Sequence, residues 1–196
     1  MFRLAKGSGF DGLSGLRSVQ DFGSIKLCRP LLQVSKDVLL SLCEDEKIPC
    51  CDDPSNGDER YARVRMRNSM NVLRDEGLTP KRLSVTASRI ERARDALDKI
   101  SQKIYQNNIL NINTSSIEFK IKLLDEHEEI VIRCLQRAMR DIGLEKDYAP
   151  RMEKVEALAH DLIHDLSFRK RTLGGVIFER DDAKGMLILT RENIDG

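Results

Sequence analysis

Arginines dominate the part of this chain that is best suited to binding an anion. They recur at steps of three, four and seven residues, which places four of them on one face of a helix: Arg60, Arg63, Arg67 and Arg74. Such a row repels itself and opposes the helix dipole, and a nearby anion offsets that cost. Guanidinium groups prefer carboxylate or phosphate partners. The row therefore predicts either a phosphate ligand or an ion-pair network with the loop carboxylates Asp53 and Asp58.

Helix signals flank this row and fix its position. Residues 52–58 are dense in turn formers and predict a loop, and a helix follows from about Glu59 to Asp75, where Gly77 ends it. Thr79 and Pro80 then predict the cap and first position of a long helix. Upstream, residues 25–28 predict a short strand that ends at Pro30, and Ser35 caps another helix.

The long helix combines an apolar seam with a local excess of basic residues. Apolar residues recur at steps of three and four from Leu83 to Ile104, which predicts a helix packed along a neighbour. Its acidic residues Glu91, Asp95 and Asp98 allow pairing within the helix. The rival prediction is contact with RNA phosphates through a basic set: Arg74, Lys81, Arg82, Arg89 and Arg92.

The last 80 or so residues predict a small separate unit. A polar break spans 107–116, and alternation at Ile117 and Phe119 then predicts a strand. Asp125 and Glu128 resemble a capping box before a helix that buries Val131, Leu135, Ala138 and Ile142. A further helix covers about 150–165, and 176–189 predicts a hairpin. We predict an α+β fold, predominantly helical, with a long connecting helix and a small C-terminal sheet.

Composition narrows the class of protein. The chain has 196 residues, a net charge of +1, no Trp and five Cys, so an RNA partner would be met by a local basic stripe. Five irregularly spaced cysteines and no apolar run of about 18 residues predict a cytoplasmic protein without a membrane span. His160 and His164 lie one turn apart, but the sequence shows no third metal ligand, so we expect no metal site.

Several short motifs follow one another along the chain. Residues 6–13 contain a basic-Gly-Ser-Gly loop followed by Asp-Gly-Leu, and residues 29–32 are Arg-Pro-Leu-Leu. Residues 53–67 contain Asp-Pro-Ser-Asn, then an aromatic residue and alternating arginines, and Arg-Thr-Leu-Gly-Gly and Arg-Glu follow at 171–175 and 191–192. In this order the motifs resemble those of the tRNA(Ile)-lysidine synthetase (synthase) family, the last two being similar to its C-terminal region.

The resemblance implies an ATP-dependent ligase that attaches lysine to the wobble cytidine of an isoleucine tRNA. ATP adenylates the base, and the lysine side-chain amine then displaces AMP. The implied ligands are ATP with magnesium, lysine and tRNA. Arg63, Arg65 and Arg67 would stabilise negative charge on the leaving pyrophosphate. The implied residues at the edge of the nucleotide and lysine pocket are Lys6, Gly7, Ser8, Gly9, Arg29, Asp53 and Asn56.

The chain contains no Ser-Gly-Gly phosphate loop of the kind with which that family grips ATP. We therefore expect it to lack the N-terminal PP-loop ATP-binding portion, to bind no ATP tightly and to be inactive alone, with a missing catalytic half elsewhere. Residues 1–77 would be the C-terminal part of the catalytic domain, 78–110 a connecting helix and 111–196 a tRNA-binding domain. The alternatives are a non-catalytic RNA-binding remnant and a purely structural domain.

Overall fold

A computed structural model describes residues 10–22, 24–49, 60–142 and 150–192. The chain divides into two compact units, residues 1–94 and 95–196, and the division falls within one long helix. Helices and strands both occur, and the strands of the second unit form a C-terminal sheet. This architecture confirms the predicted α+β class with its long helix and C-terminal sheet.

Short elements open the first unit. Helix α1 (Phe10–Leu13) precedes an antiparallel pair, β1 (Val19–Phe22) and β2 (Ile25–Cys28), and helix α2 spans Lys36–Asp45. The predicted strand at 25–28 is confirmed; it stops before Pro30, which has no N–H to donate to a ladder. Ser35 caps α2 as predicted, because its Oγ accepts a hydrogen bond from the Val38 N–H at 3.3 Å.

Two further helices carry the basic residues. Helix α3 spans Ala62–Asp75 and α4 spans Pro80–Asn108. Gly77 adopts a φ of +83°, a left-handed conformation that glycine tolerates at a helix end. Thr79 Oγ1 accepts the Arg82 N–H at 3.3 Å, so the predicted cap at Thr79 and the start at Pro80 are both confirmed.

A five-stranded antiparallel sheet forms one layer of the second unit. Its strands are β3 (Ile109–Ile112), β4 (Ser116–Lys120), β5 (Lys170–Leu173), β6 (Val176–Asp181) and β7 (Met186–Arg191), in the order β3-β4-β7-β6-β5. The predicted hairpin is confirmed as β6 and β7, in which position 181 pairs with 186. The predicted polar break at 107–116 is wrong, because α4 runs to position 108 and β3 follows it directly.

Helices cover the apolar side of this sheet. A 3₁₀ helix (Ile121–Asp125) precedes α5 (Glu128–Asp141) and α6 (Met152–His164). Ile117 and Phe119 are fully buried, as their alternation predicted, and the core of the unit also takes side chains from both helices and from the hairpin. The predicted inward residues of α5 are confirmed as buried: Val131, Leu135, Ala138 and Ile142.

The predicted capping box at Asp125 and Glu128 is wrong. Asp125 ends the 3₁₀ helix, and α5 is capped by His127, whose Nδ1 accepts the Glu129 N–H at 3.3 Å. The short 3₁₀ helix moves the start of α5 by two residues, which a spacing rule does not detect.

None of the described helices is both long enough and apolar enough to cross a bilayer.

Candidate functional site

The arginine row is only partly described, and Arg60 precedes α3, which begins at Ala62 rather than near Glu59 as predicted. Val64 is buried, which anchors the first turn of the helix, while Arg60 and Arg65 are exposed. Arg65 Nη1 donates a hydrogen bond to the Arg60 carbonyl at 2.8 Å. Arg63 and Arg67 lie within α3, but their side chains fall outside the described part of the structure. The catalytic roles suggested for Arg63, Arg65 and Arg67 stay predictions.

Arg29 closes the β1–β2 pair in the first unit. Its Nη1 donates to the Arg17 carbonyl at 3.1 Å and to Gln20 Oε1 at 3.4 Å, and its backbone N–H donates to the Ser18 carbonyl at 2.7 Å. The guanidinium therefore holds the two strands together at the start of the Arg-Pro-Leu-Leu segment. The other predicted pocket residues lie outside the described residues: Lys6, Gly7, Ser8, Gly9, Asp53 and Asn56.

A basic face runs along the first three turns of α4. We define it by Lys81, Arg82, Arg89 and Arg92, all of which are exposed. Pairing within the helix was the rival explanation for these residues. Glu91 does pair within the helix, but with Arg94 at 3.6 Å, and Asp98 pairs with Arg133 of α5 at 2.5 Å. Among the described residues no acid forms an ion pair with Lys81, Arg89 or Arg92, so the positive charge of the basic face faces solvent. Arg74, the remaining predicted RNA contact, is exposed in the last turn of α3.

A groove of about 550 Å³ opens on this face. The sequence predicted its cations but not its other members, because threonine and valine carry no charge signal. The described residues of its lining are three basic residues, two hydroxyls and one valine, with no acid among them: Thr79, Lys81, Arg82, Val85, Thr86 and Arg89. Such a lining suits a phosphate, which takes charged donors and hydroxyl groups.

A second groove, in the second unit, has a different electrostatic character. It has a volume of about 630 Å³, and its three basic side chains face three acidic ones. Arg180 Nη2 lies 2.8 Å from Asp182 Oδ1, and Nη1 of the same guanidinium donates to the Leu162 carbonyl at 2.7 Å. Lys170 pairs with Glu179 at 3.9 Å. The formal charge of this lining is therefore zero (three minus three), against +3 for the groove on α4.

The histidine pair on α6 has one acidic neighbour that the sequence did not reveal. The rings of His160 and His164 are 4.6 Å apart, and His160 Nδ1 lies 3.7 Å from Glu128 Oε1 on α5. Within residues 10–22, 24–49, 60–142 and 150–192, however, no group of three or more His, Cys, Asp or Glu side chains is arranged to hold a metal ion.

Strong pKa shifts occur in the core of the second unit. Burial raises the pKa of the Cys134 thiol to about 12. Burial, together with the hydrogen bond of 2.7 Å that Tyr105 donates to Asp141, raises the pKa of that phenol above its ordinary range. Both groups lie in the apolar cluster rather than in a groove, so their shifts describe packing and not catalysis.

Comparison with known proteins shows that most of the first unit resembles the class of PP-loop domains. The sequence model of a PP-loop domain matches residues 1–73. The particular relatives are bacterial proteins named tRNA(Ile)-lysidine synthase. The relative from Rhodopseudomonas palustris is 30% identical over 99% of this chain and 56% of its own length, and the one from Anaplasma marginale is 29% identical over 98% of this chain and 41% of its own. The relative from Methylobacterium nodulans is 42% identical over half of this chain.

These matches correct one prediction. The expectation that the chain lacks the PP-loop portion is wrong, because the PP-loop domain match covers residues 1–73. The expectation of a missing catalytic half rested on the same inference and is not supported either. The chain spans about half the length of the two relatives that it matches from end to end.

Proposed function

We propose that this chain takes part in the ATP-dependent attachment of lysine to the wobble cytidine of an isoleucine tRNA. The observation that carries the proposal is similarity to tRNA(Ile)-lysidine synthases along nearly the whole chain, together with a PP-loop match over residues 1–73. In this reaction the base is adenylated with release of pyrophosphate, and the amine of lysine then displaces AMP. ATP, lysine and tRNA are the proposed ligands.

The proposal assigns one group of residues to the nucleotide and lysine pocket and another to RNA binding. The pocket group, which borders nucleotide and lysine, comprises Lys6, Gly7, Ser8, Gly9, Arg29, Asp53 and Asn56, with charge stabilisation from Arg63, Arg65 and Arg67. The RNA group consists of Arg74 and the basic face of α4. Cations that have no acidic partner among the described residues favour a polyanionic ligand, because association then releases the counterions of its phosphates. In the proposed domain division, residues 1–77 belong to the catalytic domain, 78–110 connect and 111–196 help to hold tRNA.

Binding of tRNA tests the part of this function that the described residues carry. We expect weak binding of an isoleucine tRNA transcript that tightens at low salt. Replacing Arg89 and Arg92 with Ala should lower the affinity by about 10-fold and reduce the salt slope by about 1 to 2, because each phosphate contact contributes about 0.9. Fluorescence anisotropy at several salt concentrations measures both quantities.

The matched control is Lys170→Ala, which removes a cation already paired with Glu179 and should leave binding unchanged. If the wild-type chain binds no tRNA even at low salt, the proposal fails and a purely structural domain is favoured.

Lysine incorporation separates the enzyme from its alternative, an RNA-binding protein without catalysis. The chain is incubated with ATP, labelled lysine and the tRNA, and with the same mixture lacking ATP. The absence of a PP-loop portion was the reason to expect inactivity, and the PP-loop match over residues 1–73 removes that reason. ATP-dependent incorporation would assign catalysis to this chain, whereas tRNA binding without incorporation would favour the non-catalytic alternative.

A further inference from the structure

We propose that the groove on α4 binds phosphate groups of the RNA backbone and that Gly77 is the positioning residue for one of its cations, Arg82. This inference rests on the proposed function, since it names how the RNA is held. It concerns a glycine to which the sequence assigned only the end of a helix. Three features of the first unit support it.

The first feature is the uncompensated charge of the groove. The part of its lining that the structure describes brings Lys81, Arg82 and Arg89 together without an acid. The groove of the second unit also has three cations, and its three acids neutralise them. Two grooves of similar volume thus differ in whether an anion from outside is needed to balance their charge. The groove on α4 is the one that an anionic ligand fits.

The second feature is the fit of Arg82 over the turn between α3 and α4. Arg82 Nη1 donates to the Gly77 carbonyl at 3.0 Å, which holds the guanidinium against the turn. A guanidinium has five N–H groups, so this bond leaves others for a ligand in the groove. A Cβ added at Gly77 would lie 2.5 Å from Arg82 Nη1. The guanidinium of Arg82 can occupy this position because Gly77 has no side chain.

A side chain at Gly77 is therefore expected to affect the position of Arg82 more than it affects folding of the chain. The atom that a Cβ would meet is the far end of a flexible side chain, so Arg82 swings aside at little cost. What remains as a cost to folding is the positive φ of Gly77, which a side chain strains modestly. A substitution at Gly77 should therefore displace Arg82 while the fold persists.

The third feature favours a polyanion over a single free anion. Arg92 lies three residues beyond Arg89 on the same face of α4 and outside the lining of the groove. A free phosphate in the groove leaves this cation without a ligand. Successive phosphates of an RNA strand reach both the groove and the cation beyond it, so the basic face fits RNA better than it fits inorganic phosphate.

A double-mutant cycle tests the proposal with the full chain and a tRNA transcript. Arg82→Ala should weaken binding about 10-fold and lower the salt slope by about 0.9. Gly77→Ala should weaken it several-fold in the wild-type background and have no further effect when Arg82 is already Ala, because the displaced group is then gone. Gly185→Ala is the control, since it strains another positive-φ glycine, in the second unit.

Gly77→Asn provides a second variant if Gly77→Ala does not fold, because Asn tolerates the left-handed conformation and still carries a Cβ. Effects of Gly77 and Arg82 that add independently would overturn the positioning role, and an Arg82→Ala variant that binds like wild type would overturn the site. Inorganic phosphate that binds the groove without displacing tRNA would assign the groove to a free anion. Absence of tRNA binding by the wild type is instead the failure of the proposed function.

Discussion

At the scale of residues, a buried arginine with two carboxylate partners contrasts with the exposed basic face of α4. Arg133 is largely buried and pairs with both Glu129, at 2.8 Å, and Asp98. Burial acts to lower the pKa of Arg133, and the hydrogen bonds and charges of these two carboxylates outweigh it and raise the pKa. Such pairs stabilise packing between helices. Within the described part of the chain, no acid forms an ion pair with Lys81, Arg89 or Arg92 of the basic face of α4, which is why we propose that this face binds a ligand.

The buried thiol of Cys134 makes stability depend on pH in the alkaline range. Burial raises its pKa from 9.0 to about 12, so the unfolded chain loses this proton near pH 9 while the folded chain keeps it. The free energy of unfolding should therefore fall between pH 9 and 12, by up to about 1.4 kcal/mol per pH unit near pH 10. Urea denaturation of wild type and Cys134→Ala from pH 8 to 10 measures it.

Cys134→Ala should flatten this dependence, whereas Cys28→Ala should not, because Cys28 is exposed. Parallel pH profiles for wild type and Cys134→Ala would contradict the assignment. Tyr105 contributes in the same direction at still higher pH, since its pKa is also raised, and the upper limit of pH 10 keeps its contribution small.

At the scale of elements, glycine turns set the register of the C-terminal sheet. Gly174 and Gly175 connect β5 to β6 with φ values of 59° and 74°, both left-handed, and the register that results pairs Leu173 with Val176. A two-residue connection with positive φ at both positions matches the twist of an antiparallel pair. The Arg-Thr-Leu-Gly-Gly motif noted in the sequence therefore has a structural reason at its two glycines.

Gly174 and Gly185 form a matched pair for measuring the space beside a turn. Their φ values are similar, but a Cβ at Gly174 would lie 3.0 Å from Pro150 Cδ, whereas one at Gly185 would be no closer than 3.9 Å to another group. Gly185→Ala should cost about 1 kcal/mol of backbone strain, and Gly174→Ala about 2 kcal/mol because the proline ring must also move. If chemical denaturation gave equal losses in the free energy of unfolding for both variants, the Pro150 ring would be shown to move without cost.

At the scale of the whole molecule, apolar burial is unevenly distributed among the described residues. The main hydrophobic cluster extends from Tyr105 to Leu189 and thus lies in the second unit. In the first unit, Val64 is the apolar side chain recorded as buried, while large apolar residues of β1, β2 and α2 are more than 40% exposed, among them Val19, Ile25, Val38 and Leu42. Few buried contacts predict low local stability.

Hydrogen exchange should therefore separate the two units. Backbone amides of β4 and β7 should exchange at least about 10-fold more slowly than those of β1 and β2, because opening the central strands requires disruption of the core. Mass spectrometry of peptides after timed labelling measures this difference. Comparable protection in β1–β2 and β4–β7 would show that the first unit is stabilised by contacts other than apolar burial.

The sequence by itself determined the features that depend on neighbouring residues. Thr79 with Pro80 specified the start of α4, alternation at Ile117 and Phe119 specified a strand, and the apolar spacing of α5 specified its buried face. Each is a local rule, in which a cap or a period acts within a few residues. The motifs also carried the family resemblance, although they led to the wrong inference that the PP-loop portion is lacking.

The tertiary structure decided what depends on distant partners. Asp98 could have paired within α4, and only the packing of α5 shows that Arg133 takes it. The cap of α5 passed from Asp125 to His127 because a 3₁₀ helix intervenes. The position of Arg82 over Gly77, which shapes the groove, is likewise visible only in the folded chain. Spacing reports which residues share a face, but whether a charge is neutralised depends on the side chains that folding brings beside it.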